Sequence, residues 1–358
     1  MGIIDVPPEL LFSIVDDLSL VDLLSLRSTC CRVRDVLNQR FQKICLQDVG
    51  QLTAIQWAAV HGYAELIELA ILNGAMIDAP LQGILKWNKI GKAKSVNRIK
   101  ICDILDWANR SAEGEAKDLL IRTPLFLAAC FGQMKAIKVL LKQHASMQCF
   151  GKMMTPAHIS AARGDIDCVQ EFIQAGFNIN TRGTRNQTIL HVATLRGLKM
   201  MNYILQLEGG VNLVNTQDNN GFTPLSYIAT GFEHCNRRTR EMVRLLLRHG
   251  ANIHTSDNSG DMAAHYFAWM GLVGCLQLLI DAGFDLQSRG AHGKTILHCA
   301  VVGGEKVTQY LLGLDGVKMI IDIENNHGKT PLQFALEMSH KWPVVKALMR
   351  HGATCTSR

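Results

Sequence analysis

Gly328-Lys329-Thr330-Pro331-Leu332-Gln333-Phe334-Ala335 decides how this chain is read, because the same phrase returns along it at near-constant spacing. Gly293-Lys294-Thr295-Ile296-Leu297-His298-Cys299-Ala300 is a close copy. Thr53, Thr123, Thr155, Thr188 and Thr223 open others, and a worn copy starts at Met262. From Thr123 onward the anchors are 32, 33, 35, 39, 33 and 35 residues apart, whereas Thr53 and Thr123 are separated by 70. A period of about 33 residues is the mark of a solenoid, in which each unit buries its apolar face against its neighbours.

Each residue of the phrase has its own physical reason. The threonine hydroxyl caps free amides at a helix start, and the proline of Thr123-Pro124-Leu125, Thr155-Pro156-Ala157-His158, Thr223-Pro224-Leu225 and Thr330-Pro331-Leu332 suits the first helical position, where an N–H would go unbonded. Small residues follow at Ala58-Ala59, Ala128-Ala129, Ala161-Ala162, Ala193, Ala229, Ala268, Ala300 and Ala335, where neighbouring helices must approach closely. Nine residues after the anchor come Gly62, Gly132, Gly164, Gly197, Gly271 and Gly304, where one helix ends and the chain reverses. Twenty-one residues after it come Gly74, Gly176, Gly209, Gly283 and Gly316, behind an apolar helix such as 169–173. Glycine past a helix end accepts the left-handed backbone of the cap.

The pattern resembles the ankyrin repeat, whose family phrase reads Gly-x-Thr-Pro-Leu-His-x-Ala. The resemblance covers about 50–80 and 120–355. It departs at Met262-Ala263-Ala264-His265, which lacks threonine and proline, at His144, which stands where a cap glycine is expected, and in the Thr223 copy, which carries about six extra residues around Arg237–Arg240. The expected fold is all-α: an ankyrin-repeat solenoid of helix-turn-helix units with hairpin-like loops. Residues 50–80 form a first repeat, 81–121 a basic insertion or a degenerate repeat, and 122–355 about seven repeats.

Before the array, apolar residues at 10, 11, 14, 15 and 18 have helical spacing, Pro7-Pro8-Glu9 marks a helix start, and Ser19-x-x-Asp22 opens a second helix. So small a three-helix bundle buries little apolar surface by itself and needs a partner or a neighbour. The stretch 1–45 resembles an F-box through Val6-Pro7-Pro8-Glu9-Leu10, Ile14, Leu18, Asp22-Leu23 and Cys31-Arg32, with Arg34 where an aromatic is usual. The resemblance implies docking onto the Skp-type adaptor of a cullin-based ubiquitin ligase, with Pro7, Pro8, Leu10, Ile14, Leu18 and Leu23 as contact or core positions. The alternative is that 1–45 only caps the exposed end of the stack.

Composition narrows the function. The net charge is +6, and Lys86, Lys89, Lys92, Lys94, Arg98 and Lys100 hold six of the positive charges with no acid among 86–100, so the rest is neutral. This argues against an extended basic face for nucleic acid and reads as a solvated insertion, with a nuclear-import or acidic-partner patch as the sharper alternative. Eleven cysteines show no CxxC and no regular framework, which fits reduced thiols inside the cell, cytoplasmic or nuclear. Val6 stands where a myristoylation signal needs serine or threonine. The apolar run 263–284 is split by the repeat register at Gly271 into two helices, with His265, Gln277 and Asp281 inside it, so it is not expected to span a membrane.

No catalytic constellation is legible. His158, His191, His265 and His298 recur three residues after the anchor and so follow architecture instead of converging on a metal; the ankyrin resemblance implies that they brace neighbouring turns by hydrogen bonds. The adjacent pairs His298-Cys299 and His234-Cys235 lack a third orienting group. There is no phosphate loop, no His-Glu-x-x-His and no nucleophile elbow. Neither enzyme activity nor a cofactor is expected.

The family resemblance implies that a target protein binds the concave face, on hairpin tips and the exposed side of each first helix. By register the tips are Gly151-Lys152, Thr184-Arg185, Asn219-Asn220, Asn258-Ser259, Ala291-His292 and Asn326-His327. The exposed helix positions are Cys130-Phe131, Ala162-Arg163, Leu195-Arg196, Trp269-Met270 and Glu337-Met338. Arg163, Arg185 and Arg196 form a small basic rise, with Asn219 and Asn220 beside it and Trp269 and Met270 beyond; arginine and tryptophan are the types that most often carry interface energy. The plainer alternative is a packed Trp269 and merely solvated arginines. Together these readings make a non-catalytic substrate receptor of a Skp-cullin-F-box ligase, or else an ankyrin scaffold that never meets a ligase.

Overall fold

The computed structural model describes residues 48–49, 52–72, 74–78, 123–148, 154–231, 237–338 and 342–354. The adaptor-docking positions Pro7, Pro8, Leu10, Ile14, Leu18 and Leu23, the basic run 86–100 and the tip Gly151-Lys152 lie outside the described residues.

Sixteen α-helices in eight pairs occupy the described residues, divided between two compact units that end and begin at Phe177 and Asn178. The first unit holds α1 (Ala54–His61), α2 (Ala64–Leu72), α3 (Pro124–Phe131), α4 (Met134–Lys142), α5 (Pro156–Arg163) and α6 (Ile166–Gln174). The second holds α7 (Ile189–Thr194), α8 (Leu198–Gln206), α9 (Pro224–Gly231), α10 (Arg237–Arg248), α11 (Ala263–Trp269), α12 (Val273–Asp281), α13 (Ile296–Gly303), α14 (Glu305–Leu312), α15 (Pro331–Leu336) and α16 (Trp342–Arg350). A two-residue antiparallel pair, β1 (Asp48–Val49) with β2 (Leu52–Thr53), leads into α1, and isolated bridges Ser256–Met262 and Arg289–Thr295 close two hairpins. These few extended residues belong to the hairpin-like loops expected of the all-α solenoid.

Within each unit, first helices pack on first helices and second helices on second: α1 on α3 on α5 and α2 on α4 on α6, then α7 through α15 and α8 through α16 in the same manner. This is the solenoid arrangement expected of a 33-residue repeat. α1 packs directly on α3 although their anchors are 70 residues apart in sequence.

The anchors do what their chemistry requires. Thr123 Oγ1 accepts from the Phe126 N–H at 3.2 Å, Thr155 from His158 at 3.3 Å, Thr223 from Ser226 at 3.3 Å and Thr330 from Gln333 at 3.3 Å. In α3 every residue from Pro124 to Cys130 is buried, because a first helix is sandwiched between two others. All eleven spacer glycines take positive φ, and His144 adopts φ 61° where its repeat has no glycine. Gly271, at φ 69°, separates α11 from α12 and so divides the apolar run 263–284 as its register predicts. Where α11 meets α13, a β-carbon at Gly303 would strike the Ala268 carbonyl and approach the Gly271 N–H to 3.0 Å, so backbone touches backbone there.

Candidate protein-binding face

Three hairpins of the second unit are built around one side-chain position, five residues before the anchor. Asp218 Oδ1 accepts from the Asn220 and Phe222 N–H groups at 2.8 and 2.9 Å, and its Oδ2 accepts from the Tyr227 hydroxyl at 2.9 Å. Asp257 repeats this with Ser259 and Asp261 N–H at 2.8 and 3.0 Å and the Tyr266 hydroxyl at 2.5 Å. Asn325 holds His327 and Lys329 N–H the same way, and there the tyrosine position is Phe334. Burial and the paired carboxylate push both tyrosine hydroxyls well above their ordinary range, so they stay protonated donors.

Two of the histidines three residues after an anchor, His191 and His298, brace the next hairpin, as the family resemblance implies. His191 Nδ1 accepts the Thr188 N–H at 3.1 Å, which leaves its proton on Nε2, and Nε2 donates to the Phe222 carbonyl of the next hairpin at 2.9 Å. His298 makes the same pair with Thr295 N–H, 3.2 Å, and the Lys329 carbonyl, 2.9 Å. Burial favours the neutral ring: His191 is lowered to about 4, and His265 and His298 are lowered for the same leading reason. Neighbouring tips are tied by main-chain bonds, Asn219 N–H to the Arg185 carbonyl at 2.8 Å, Asn258 N–H to Asn220 at 3.0 Å and Asn326 N–H to His292 at 2.9 Å.

A second device links successive repeats at the far end of three first helices, α1, α3 and α7. Gln133 Nε2 donates to the Val60 carbonyl at 2.9 Å, Arg163 Nη1 to the Cys130 carbonyl at 2.7 Å, and Arg238 Nη2 to the Arg196 carbonyl. Each donor lies over the preceding cap glycine, Gly62, Gly132 or Gly197, where a β-carbon would collide with it. The carbonyls that end a helix are thereby satisfied by the next repeat.

These bonds decide where the expected binding residues stand. Arg163, in the first unit, is turned inward: it also bonds Asp165 Oδ2 at 2.8 Å and its side chain is only 15% exposed. Arg185 and Arg196, in the second unit, are half-buried, Arg185 with a left-handed φ of 56°. Asn219 and Asn220 are exposed side chains on a tied backbone. Cys130 and Ala162, read as exposed, are buried, a correction with a simple cause: the helix surface seven residues after the anchor is covered by the adjacent first helix. Trp269, at the corresponding place, is 48% exposed, with Met270 half-buried beside it.

Trp269 ends an aromatic row. His191 meets Tyr227 edge-on at 5.0 Å, Phe222 stands 6.0 Å from Tyr227 and 5.5 Å from Tyr266, and Tyr266 is 6.5 Å from Trp269. In front of Trp269 lies a cleft of about 320 Å³ between two successive repeats, lined among others by Asp261, His265, Tyr266, Lys294 and Cys299. Its wall is firm: Asp261 Oδ1 accepts the Ala291 N–H at 2.9 Å, and the Lys294 ammonium stands 5.7 Å over the Phe334 ring. The cleft thus offers an apolar aromatic face between one acid and one base. Cys299 and Cys168 are buried free thiols pushed up to about 12 by burial first, and so are protonated and poorly nucleophilic. Among the described residues no cluster of three or more His, Cys, Asp or Glu side chains fits a metal ion, and no helix is long and apolar enough to cross a membrane.

Comparison with known proteins agrees with the fold. The family profile described as ankyrin repeats (3 copies) matches residues 92–183, 157–257, 232–322 and 275–358. This chain belongs to the ankyrin-repeat family, a fold that serves as a protein-interaction scaffold. It is similar to the mouse B-cell lymphoma 3 protein homolog, 26% identical over 195 residues that cover 53% of this chain and 42% of that one. It is also similar to the human transient receptor potential cation channel subfamily A member 1, 24% identical over 317 residues, 86% of this chain and 27% of that one. The chain spans less than half the length of these curated relatives. The crystal structure of the ankyrin repeat domain of Bcl-3 shares its fold, with a TM-score of 0.50 at 21% identity over 75% of this chain and all of that one.

Proposed function

We propose that this chain is a non-catalytic substrate receptor of a Skp-cullin-F-box ubiquitin ligase, its residues 1–45 docking the adaptor and its ankyrin array holding the target. What supports target binding is the half-exposed Trp269 at the mouth of a walled cleft, in a row where the other aromatic rings are packed. What supports the ligase half is the F-box-like run from Val6 to Arg32. The mechanism is tethering, which raises the effective concentration of target lysines near the transferring subunits without new chemistry. Such a receptor works in the cytoplasm or nucleus.

The test is capture with the Skp-type adaptor and with target proteins. Leu10→Ala with Leu18→Ala abolishes adaptor retention and leaves the helical circular dichroism of the array intact. Retention by the intact chain no greater than by a chain lacking residues 1–45 contradicts the ligase reading. A second reading is an ankyrin scaffold or regulatory adaptor outside ubiquitination, supported by the ankyrin array itself, which binds partners without any ligase. It predicts target capture without adaptor capture.

A further inference from the structure

The repeat opened by Thr223 carries about six more residues than its neighbours. In the structure the enlargement lengthens its second helix: α10 has 12 residues where α8 and α12 have 9. Its first turn supplies three arginines, Arg237, Arg238 and Arg240, all exposed. They are held at a defined place, because Arg238 reaches back over Gly197 and bonds the Arg196 carbonyl at the end of α7. That bond brings the start of α10 beside the start of α8, where Lys199 is exposed, and α8 and α10 pack along each other. Lys199, Arg237, Arg238 and Arg240 therefore lie on neighbouring helix starts along one edge of the second unit. Among the described residues the acid nearest in sequence on α10, Glu241, is engaged by Arg244 at 2.7 Å, and no carboxylate pairs with Arg237, Arg238 or Arg240.

Four like charges on one edge repel one another and concentrate an anion. We infer that this edge is a docking site for an acidic protein segment, whose carboxylates pair with the guanidinium forks of Arg237 and Arg240. Arginine suits this task because its planar fork accepts a carboxylate in two parallel bonds, which a point-charge ammonium does not. The edge spans one helical turn and the end of another helix, matching a short extended peptide and falling short of the long basic stripe that nucleic acid requires. The site stands apart from the Trp269 cleft and from the ligase reading, and holds whether or not either does.

The experiment uses the full chain and a fluorescent eight-residue peptide of alternating Asp and Glu, with its Asn/Gln counterpart as control. Binding of the acidic peptide is expected to weaken at least about tenfold in R237E/R240E, since two exposed guanidinium partners of its carboxylates become carboxylates that repel them. It also weakens as salt rises. The thermal melt of this variant stays that of the parent, because both side chains are exposed. A variant with Lys86, Lys89, Lys92, Lys94, Arg98 and Lys100 changed to glutamine binds the peptide like the parent. Equal binding by R237E/R240E overturns the inference, as does loss of binding in the 86–100 variant, equal binding of the Asn/Gln peptide, or tighter binding of single-stranded oligonucleotide than of the acidic peptide.

Discussion

The hairpins led by Asp218 and Asp257 and those led by Gly183 and Gly290 close the same turn by different means. All four share a main-chain bond from the leading residue, Asp218 to Phe222 at 3.0 Å, Asp257 to Asp261 at 2.8 Å, Gly183 to Gln187 at 2.8 Å and Gly290 to Lys294 at 2.8 Å. In the aspartate hairpins a buried carboxylate collects two turn amides and a tyrosine hydroxyl, so the tip is tied to its own helix. In the glycine hairpins that side chain is missing, and non-glycine residues take the left-handed backbone, Arg185 and Asn186 in one and His292 in the other, whereas the aspartate hairpins place Gly221 and Gly260 in it. At Gly290 the reason is local crowding: the place a side chain would take is filled by Asp261 Oδ1 and the His265 ring. One hairpin thus lends its acid to the next, and the glycine tips are the ones that hold a cationic or imidazole side chain in a fixed pose.

Turning one kind of hairpin into the other gives the largest effect. Gly290→Asp drives a β-carbon into Asp261 and sets two carboxylates together, and is expected to destabilise the second unit by about 3 kcal/mol or more in chemical denaturation, with exchange protection lost first in α11 and α13. Next comes acid. The His191 ring is neutral in the fold at about 4 but takes its proton at the ordinary 6.5 when unfolded, so the unfolded chain binds more protons between these values. Its contribution is whole above pH 6.5 and is lost as the pH falls toward 4, about 3 kcal/mol in all, with His265 and His298 adding in the same direction. Melts at stepped pH measure this, and His191→Gln removes most of the slope.

Within one aspartate hairpin, Asp218→Ala strands two turn amides and a hydroxyl and costs about 2 kcal/mol, whereas Tyr227→Phe, which takes away only the hydroxyl, costs about 1 kcal/mol. A thermal-shift series on the two variants and their double mutant checks that the energies are coupled through the single carboxylate. The smallest change sharpens the contrast from the other side. Arg185→Gly relieves a left-handed non-glycine residue and is expected to stabilise by up to ~1 kcal/mol, an effect absent from Arg182→Gly four residues from Asn186.

Much of this frame was legible before any coordinates, because each anchor residue does local work. The threonine caps, the two glycine sets and the left-handed His144 all follow from what one helix end needs from its own chain. The histidine brace followed from the family resemblance. The aspartate at minus five and the tyrosine at plus four were visible as a recurring pair, Asp218 with Tyr227 and Asp257 with Tyr266, but their bond crosses from turn to helix and is not implied by either helical or strand periodicity. The caps from Gln133, Arg163 and Arg238 went unread because their acceptors lie in the preceding repeat, a distance no local pattern encodes. For the same reason Arg163 read as a free surface cation, and Cys130 and Ala162 as exposed: a first helix viewed alone has an outer face, and a first helix between two others has almost none.

Trp269 carries the central claim, that this array holds a protein partner at one cleft. The decisive measurement is quantitative capture of bound proteins by the full chain, by Trp269→Ala, and by Trp342→Ala, whose side chain is 70% exposed on α16 away from the cleft. The expected result is that Trp269→Ala loses at least about 2 kcal/mol of affinity for the partner recovered by the parent, while Trp342→Ala retains it. A partner held equally well by the parent and by Trp269→Ala contradicts the account.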